Sequence, residues 1–258
     1  MSVHKLKKIN IEDIKFSKPK NYSNNMGSSI NLYYENSSLL IQTPKMMNIF
    51  GLNIYKDEKT DKVKSVNITL QFNSLTDKIN RVDNFQKKLK KLDNYIIKNF
   101  YKNKKEWLKI SDKISLEYID ALYKKTLYYS LLSNGEINYS KPPSFKIKVP
   151  YYKDKINNVV FLDKNNKKLS YTLEDLSDLI KENVMMKCII NPSIYVVNQN
   201  YGVTYNLKAI QILDKFKCEK KNKEKKKSNK TENIGKYFTN LSSENSESNE
   251  LENNDNFD

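Results

Sequence analysis

The sequence predicts a mainly β domain of the α+β class, a barrel or sandwich, with helices inserted in its middle and a C-terminal tail that does not fold. Three observations carry that prediction. Apolar and polar residues alternate in the first and third quarters of the chain, as in half-buried strands. Between those quarters the apolar residues recur at steps of three and four, the period of an amphipathic helix. Past Leu213 apolar residues thin out and charge runs take over.

Residues 1–26 are polar apart from the amphipathic patch "INIEDIKF", and read as an N-terminal arm. The folded domain is expected over 27–215. "INLYYENSSLLIQTP" gives two short β runs, Ile30–Tyr34 and Leu39–Thr43, around the turn former Asn36-Ser37-Ser38. In "VKSVNITLQF" (63–72) Val66, Ile68, Leu70 and Phe72 alternate with Ser65, Asn67 and Thr69. From Leu75 to Phe100, Ile79, Val82, Phe85, Leu89, Leu92 and Ile96 mark a helix, with Ser74 or Thr76 as its N-cap. A second helix, about 115–131, uses Ile114, Tyr118, Ile119, Leu122 and Leu131, and the turn "SNGE" ends it. The helical insertion therefore spans about 75–131. Strands return with "SFKIKVPYY" (144–152) and "NNVVFLD" (157–163). A short helix, "LEDLSDLI" (173–180), precedes two long strands, 184–197 and 201–213, joined by "NQN". The tail, 216–258, is first basic and then acidic, with the apolar island "TENIGKYFTNL" between, and reads as disordered.

The net charge is +16, from 46 Lys+Arg against 30 Asp+Glu. The last 20 residues contribute −6, which leaves +22 on residues 1–238. Such a body fits an anionic partner, nucleic acid before a membrane surface. The Asn/Lys/Ile/Tyr bias matches AT-rich coding, so Lys and Asn counts alone are discounted. Cys188 and Cys218 give no disulfide framework, which suits a reducing compartment. "MSVHKLKKIN" lacks the apolar core of a signal peptide, and "VMMKCIINPSIYVV" is too short and too interrupted to span a bilayer. The expectation is a soluble, intracellular protein.

Catalysis lacks its parts. The one histidine, His4, falls in the arm, and five glycines form neither GxGxxG nor a Walker A loop. Glu174, Asp175 and Asp178 lie at a short helix, where carboxylates complement the macrodipole without a metal. No catalytic residue, metal or cofactor is expected.

Binding of a single-stranded nucleic acid needs cations to track phosphates and flat aromatic faces for bases. Lys146, Lys148 and Tyr152 alternate with the apolar residues of their strand, and Tyr151–Tyr152–Lys153 enter the following loop. Tyr33, Tyr34, Lys45, Trp107, Lys187, Tyr195, Tyr201 and Tyr205 complete the candidate set. For each Tyr the competing role is a core or sheet-surface packing residue.

Ser144 to Leu213 resembles the C-terminal half of the phage T7-type single-stranded DNA-binding proteins: "SFKIKVPYYKDK", then "VVFLDKNNKKL" with its turn, a short segment, and two long final strands. "LLIQTPKMMNIFGL" (39–52) resembles a segment of proteins from large (giant) DNA viruses of algae and protists. The resemblance implies an OB-fold barrel with a helix between barrel strands, and an acidic tail with an aromatic end. It also implies that this tail mimics the DNA backbone in the protein's own groove, then docks on a replicative polymerase or helicase once DNA displaces it. Phe257 would be the aromatic, and Glu244, Glu247, Glu250, Glu252, Asp255 and Asp258 the charge. Phe257 is penultimate rather than last, and Asn and Ser dilute the acids. Separately, Ile234, Tyr237 and Phe238 have the spacing of a sliding-clamp-binding box, with Thr231 where Gln belongs.

The function expected is therefore non-enzymatic, sequence-independent binding of single-stranded DNA in viral replication or recombination. The host's cytoplasmic viral factory or nucleus is the expected place. The alternatives are a basic DNA-packaging or virion nucleoprotein and a clamp-binding adaptor. Oligomeric state is left open, a homodimer included.

Overall fold

The computed structural model describes residues 2–23, 26–73 and 80–215. The N-terminal segment holds β1 (Val3–Lys5), two single turns of 3-10 helix (Leu6–Lys8 and Ile11–Asp13), and the short strands β2 (Lys15–Phe16) and β3 (Lys20–Asn21). Next come β4 (Ser28–Tyr34), β5 (Ser37–Ser38), β6 (Leu40–Gln42), β7 (Met46–Lys56) and β8 (Val63–Gln71). Three helices follow: α1 (Arg81–Lys102), α2 (Lys104–Trp107) and α3 (Leu116–Leu122). Then come β9 (Tyr123–Lys124), β10 (Ser144–Val149), the pair β11 (Tyr151–Tyr152) and β12 (Lys155–Ile156), β13 (Val160–Leu162) and β14 (Lys168–Leu169). The helix α4 (Leu173–Leu179) leads to the long strands β15 (Val184–Val197) and β16 (Asn200–Lys215).

Five strands pair around a closed circuit. β7 pairs with β8, β8 with β10, β10 with β16, β16 with β15, and β15 returns to β7. The β10–β16 junction is parallel and the other four are antiparallel. Beyond β7, the same edge of β15 pairs with β6 and then β4. Strand alternation turns Ile68, Leu70, Phe145, Ile147, Met186, Cys188, Ile190 and Leu207 into the buried interior. Gly51 stands at a bulge in β7 with φ of 69°, its backbone against the Ile180 carbonyl, where a side chain would be both strained and crowded.

The helical insertion closes one side of the domain. Val82, Phe85, Leu89, Leu92, Ile96 and Phe100 are buried along α1, as their spacing predicts. The N-cap expected at Ser74 or Thr76 lies outside the described residues, and the helix opens after Asn80. The second helix is shorter than predicted. It ends at Leu122 because Tyr123 and Lys124 extend to pair with Tyr201 and Gly202 on β16. Leu131 is consequently an exposed hairpin residue, not a helical one.

The N-terminal segment is no free arm. β1 adds in parallel to β6, and Leu6, Ile9, Ile11 and Ile14 are buried against the body. Lys88 Nζ donates to the Ile9 carbonyl at 3.1 Å, and the Tyr95 hydroxyl lies 3.0 and 3.1 Å from the carbonyl oxygens of Glu12 and Ile14. Leu6 and Ile9 at the first 3-10 turn and Ile11 and Ile14 at the second give this polar stretch one apolar edge, and α1 supplies the surface that buries it.

A buried carboxylate ties the insertion to the circuit. Asp93 of α1 accepts from the Tyr123 hydroxyl at 2.7 Å, the Thr126 hydroxyl at 2.6 Å and the Thr126 backbone N–H at 3.1 Å. The Thr126 hydroxyl also meets that of Tyr205 on β16 at 3.1 Å. Burial raises the Asp93 pKa, against the lowering pull of these donors.

Candidate nucleic-acid interface

The outward parity of the circuit builds a polar surface. Ser65, Asn67 and Thr69 take the outward parity of β8, Asn67 and Thr69 buried at 7% and 8% exposure beneath their neighbours, and Lys146 and Lys148 alternate exposed with the buried residues of β10. Register sets Lys148 opposite Asn67 on one side and beside Asn206 of β16 on the other. Asn206 faces Asn191, Thr204 faces Ser193, and Gly202 faces Tyr195 across the β15–β16 ladder. On β4, Asn31 and Ser29 continue the rows from Ser193 and Tyr195. Asn206 Nδ2 donates to Ser193 Oγ at 3.1 Å, so the polar groups of the face order one another. At the β7 edge, 51% exposed Tyr55 stands opposite Ser65, with Lys146 Nζ 5.6 Å from its ring centroid.

These strands bring no carboxylate to the surface. β4, β7, β8, β10, β15 and β16 up to Leu213 contain no Asp or Glu, while Lys56, Lys64, Lys146, Lys148, Lys187 and Lys208 lie within them. Two of those lysines are engaged by acids of the β7–β8 loop. Asp57 pairs with Lys64 at 2.7 Å, and Asp61 with Lys56 at 3.0 Å. The Lys64 ammonium, with the backbone N–H groups of Thr60 and Lys59, pulls the Asp57 pKa down to about 2. Lys146 and Lys148 are exposed beside the uncharged rows.

Gly202 shapes the far end. A Cβ there would lie 2.8 Å from the Tyr195 hydroxyl and 3.1 Å from Lys124 Cβ. Its absence lets the Tyr195 phenol reach across β16 beside Lys124. Burial, then the neighbouring phenols of Tyr128 and Tyr22, raise the Tyr195 pKa, so three tyrosines share this corner.

Of the residues singled out in the sequence, Lys146, Lys148 and Tyr195 meet on this face, and Tyr33 stands half-buried on the outward side of β4. Tyr151, Tyr152 and Lys153 form the adjoining β11–β12 hairpin. Tyr152 is 68% exposed with Lys153 Nζ 5.5 Å from its ring centroid, whereas Tyr151 packs partly on the core. Lys45 and Lys187 come together elsewhere, in a cationic patch with Lys5 and Arg81. Burial and then those three charges lower the Lys187 pKa. The apolar cluster of Leu40, Leu162, Ile189 and Ala209 adjoins Lys187 on the outside of β15.

Four aromatic candidates are packing residues instead. Trp107 is 9% exposed, wedged between Phe100 (4.9 Å between centroids) and Phe16 (5.5 Å), because α2 turns it under β2. Tyr201 stacks on Phe100 at 3.9 Å and 11°, and its hydroxyl donates to the Ile119 carbonyl at 3.1 Å. Tyr205 points into the circuit against Phe145 and Thr126. Tyr34 packs partly against the core, its ring near perpendicular to that of His4 at 5.0 Å between centroids. The buried rings of Trp107, Tyr201 and Tyr205 offer no face to a base. Ile234, Tyr237, Phe238 and Phe257 lie outside the described residues.

Residue-by-residue reading missed Tyr55, Asn191, Thr204, Asn206 and the glycine under Tyr195. The available signal was collective: up to Leu213 every circuit strand lacks acids, in a chain that holds 30 of them. Among the described residues, no group of three His, Cys, Asp or Glu side chains is placed to hold a metal ion, and no helix is long and apolar enough to cross a membrane.

No protein-family model matches the chain, and no curated protein matches it. Solved structures do match. The single-stranded DNA-binding protein from bacteriophage Enc34 in complex with ssDNA superposes with a TM-score of 0.46 at 10% identity, covering 78% of this chain and 96% of that one. A C-terminal truncation of the same phage protein gives 0.44 at 11%, covering 79% and 97%. The single-stranded DNA-binding protein gp2.5 of bacteriophage T7 gives 0.40 at 13%, covering 71% and 90%.

Proposed function

We propose that the protein binds single-stranded DNA without sequence preference along the outer face of the five-strand circuit. The observation that carries this reading is a broad polar surface built from strands free of carboxylates, with exposed Lys146 and Lys148 and tyrosines at its borders. Lysines there would neutralise phosphates, Asn and Ser groups would meet sugars and base edges, and Tyr55, Tyr152 and Tyr195 would stack bases. The connectivity supports reading the domain as an OB-fold. Its strand order is first–second–third–fifth–fourth, with a parallel third–fifth junction and a helix between third and fourth. The chemistry is binding, with no bond made or broken.

A coat protein of replicating or recombining viral DNA would use such a face, and the acidic tail would compete for it before docking a polymerase, helicase or clamp. That tail role rests on sequence alone. Deleting residues 239–258 removes six carboxylates from a tethered competitor, so affinity for single strands rises, most at low salt.

The deciding experiment titrates the full chain with single-stranded and duplex DNA of equal length over a range of salt. Affinity for the single strand falls with a log–log slope of roughly −0.7 per phosphate neutralised, and duplex binds much more weakly. Equal affinity for both at physiological salt would point instead to a basic packaging protein and remove the single-strand reading.

A further inference from the structure

The segment between β9 and β10 is an ordered hairpin that the circuit's outer face leaves unused. Tyr128 and Ser144 exchange both backbone hydrogen bonds, at 2.8 and 2.9 Å. Leu131 bridges Ile137, and Asn138 N–H donates to the Ser130 carbonyl at 2.8 Å. The tip is a tight turn at Leu132–Gly135, closed by the Gly135 N–H on the Leu132 carbonyl at 3.0 Å, with Asn134 Nδ2 donating to the Glu136 carboxylate at 3.0 Å. These bonds hold the two arms of the hairpin together, yet most of its large apolar side chains are not covered. Tyr139 is 80% exposed, Leu131 63% and Tyr128 54%, with Leu132 and Ile137 exposed beside them. Tyr139 meets the ring of Tyr129 at 6.2 Å between centroids, and so many large apolar side chains left exposed on one short hairpin mark a binding site.

Two observations name its occupant. The first is charge: from Tyr123 to Pro150 the chain holds Lys124, Lys125, Lys141, Lys146 and Lys148 against the single acid Glu136. A second copy of this chain, net +16, would bring like charge to that rim, whereas a polyanion would be drawn to it. The second is continuity. The hairpin runs directly into β10, which carries Lys146 and Lys148, and its Tyr128 shares a corner with Tyr195 and Tyr22. Apolar and aromatic side chains rimmed by lysine are what unpaired nucleobases on a phosphate backbone require.

We propose that the 128–144 hairpin is a flap that takes unpaired bases, extending the strand-binding face beyond the circuit through Tyr128, Tyr139 and the aliphatic edge of Leu131 and Ile137. The proposal rests on the single-strand reading. The flap supplies stacking and apolar contact, and Lys124 and Lys141 supply charge to the phosphates that those bases follow.

The test uses the full-length chain and two oligomers of equal length and charge, oligothymidine and a fully abasic analogue. Tyr128→Ala/Tyr139→Ala should weaken oligothymidine binding by roughly five-fold or more and leave abasic binding unchanged, since only bases are lost as partners. Tyr128→Phe/Tyr139→Phe keeps the rings and should bind like the wild type. A wild type that binds oligothymidine, with an alanine variant that binds equally well, would overturn the flap alone. A wild type that binds neither oligomer at low salt would sink the single-strand reading and the flap together. Sedimentation of both proteins without DNA provides the third arm. Self-association that the alanine substitutions abolish would make this surface a contact between copies and overturn the proposal.

Discussion

The two faces of the β15–β16 hairpin use the same residue types for opposite ends. Inward, Tyr201 and Tyr205 are buried, one stacked on Phe100 and the other joined through Thr126 to Asp93. Outward, Tyr195 lies across Gly202 beside Lys124 and the phenols of Tyr128 and Tyr22. Tyr195 and Tyr201 lie on opposite sides of the sheet because their strand positions have opposite parity, since Val196 pairs with Tyr201 and Tyr195 with Gly202. A tyrosine's role here is decided by the side of the sheet it occupies. Inner substitutions should therefore cost stability and leave the affinity of folded molecules alone, and outer ones should do the reverse.

The largest separation is expected from the inner face. Tyr201→Ala removes a fully buried ring and should cost about 3–5 kcal/mol in chemical denaturation. Asp93→Ala leaves the Tyr123 and Thr126 hydroxyls and a backbone N–H without their acceptor, at about 1–3 kcal/mol for each group that finds no other partner. Asp93 also predicts a pH signature. Its pKa is raised in the folded state, so the protonated form favours folding, and that contribution is lost as pH rises from the ordinary carboxylate value of 3.8 through the folded one. Stability measured against pH should lose this acid-side component in Asp93→Asn. If Tyr201→Ala instead abolished DNA binding by molecules still folded, the division between faces would fail.

On the outer face, Lys146→Ala/Lys148→Ala should lower single-strand affinity uniformly across sequences. The salt slope should shrink by roughly 0.7 for each phosphate no longer neutralised, with unchanged denaturation. Tyr195→Ala should weaken binding by about 1–3 kcal/mol if its ring stacks a base. Gly202→Ala sharpens the comparison with the smallest change. Its methyl would displace the Tyr195 phenol, which can swing away, and would crowd the Lys124 backbone carbonyl at 3.1 Å, so affinity should fall by less than in Tyr195→Ala, with some stability lost as well. An affinity loss in Gly202→Ala that persists in the Tyr195→Ala background would show that the glycine matters for another reason.

The sequence by itself determined the strand–helix–strand order, the apolar seam of α1 and the turn at Asn198–Gln199, where both residues take positive φ as a two-residue hairpin requires. It also determined the absence of acids from the circuit strands up to Leu213. These are local properties, set by period, turn chemistry and composition. Tertiary structure alone decided which aromatics are covered. Trp107 sits in a Lys-rich stretch that looks exposed, and its burial is completed by Phe16, which approaches from a distant strand opposite Phe100. The N-terminal isoleucines likewise needed α1 before they had anything to pack on. Pairing between residues far apart in the chain also built the site, since Lys148, Asn67, Asn206 and Asn191 become one row only when four strands close on one another. Burial and adjacency depend on contacts between distant segments, and no period read along the chain encodes those contacts.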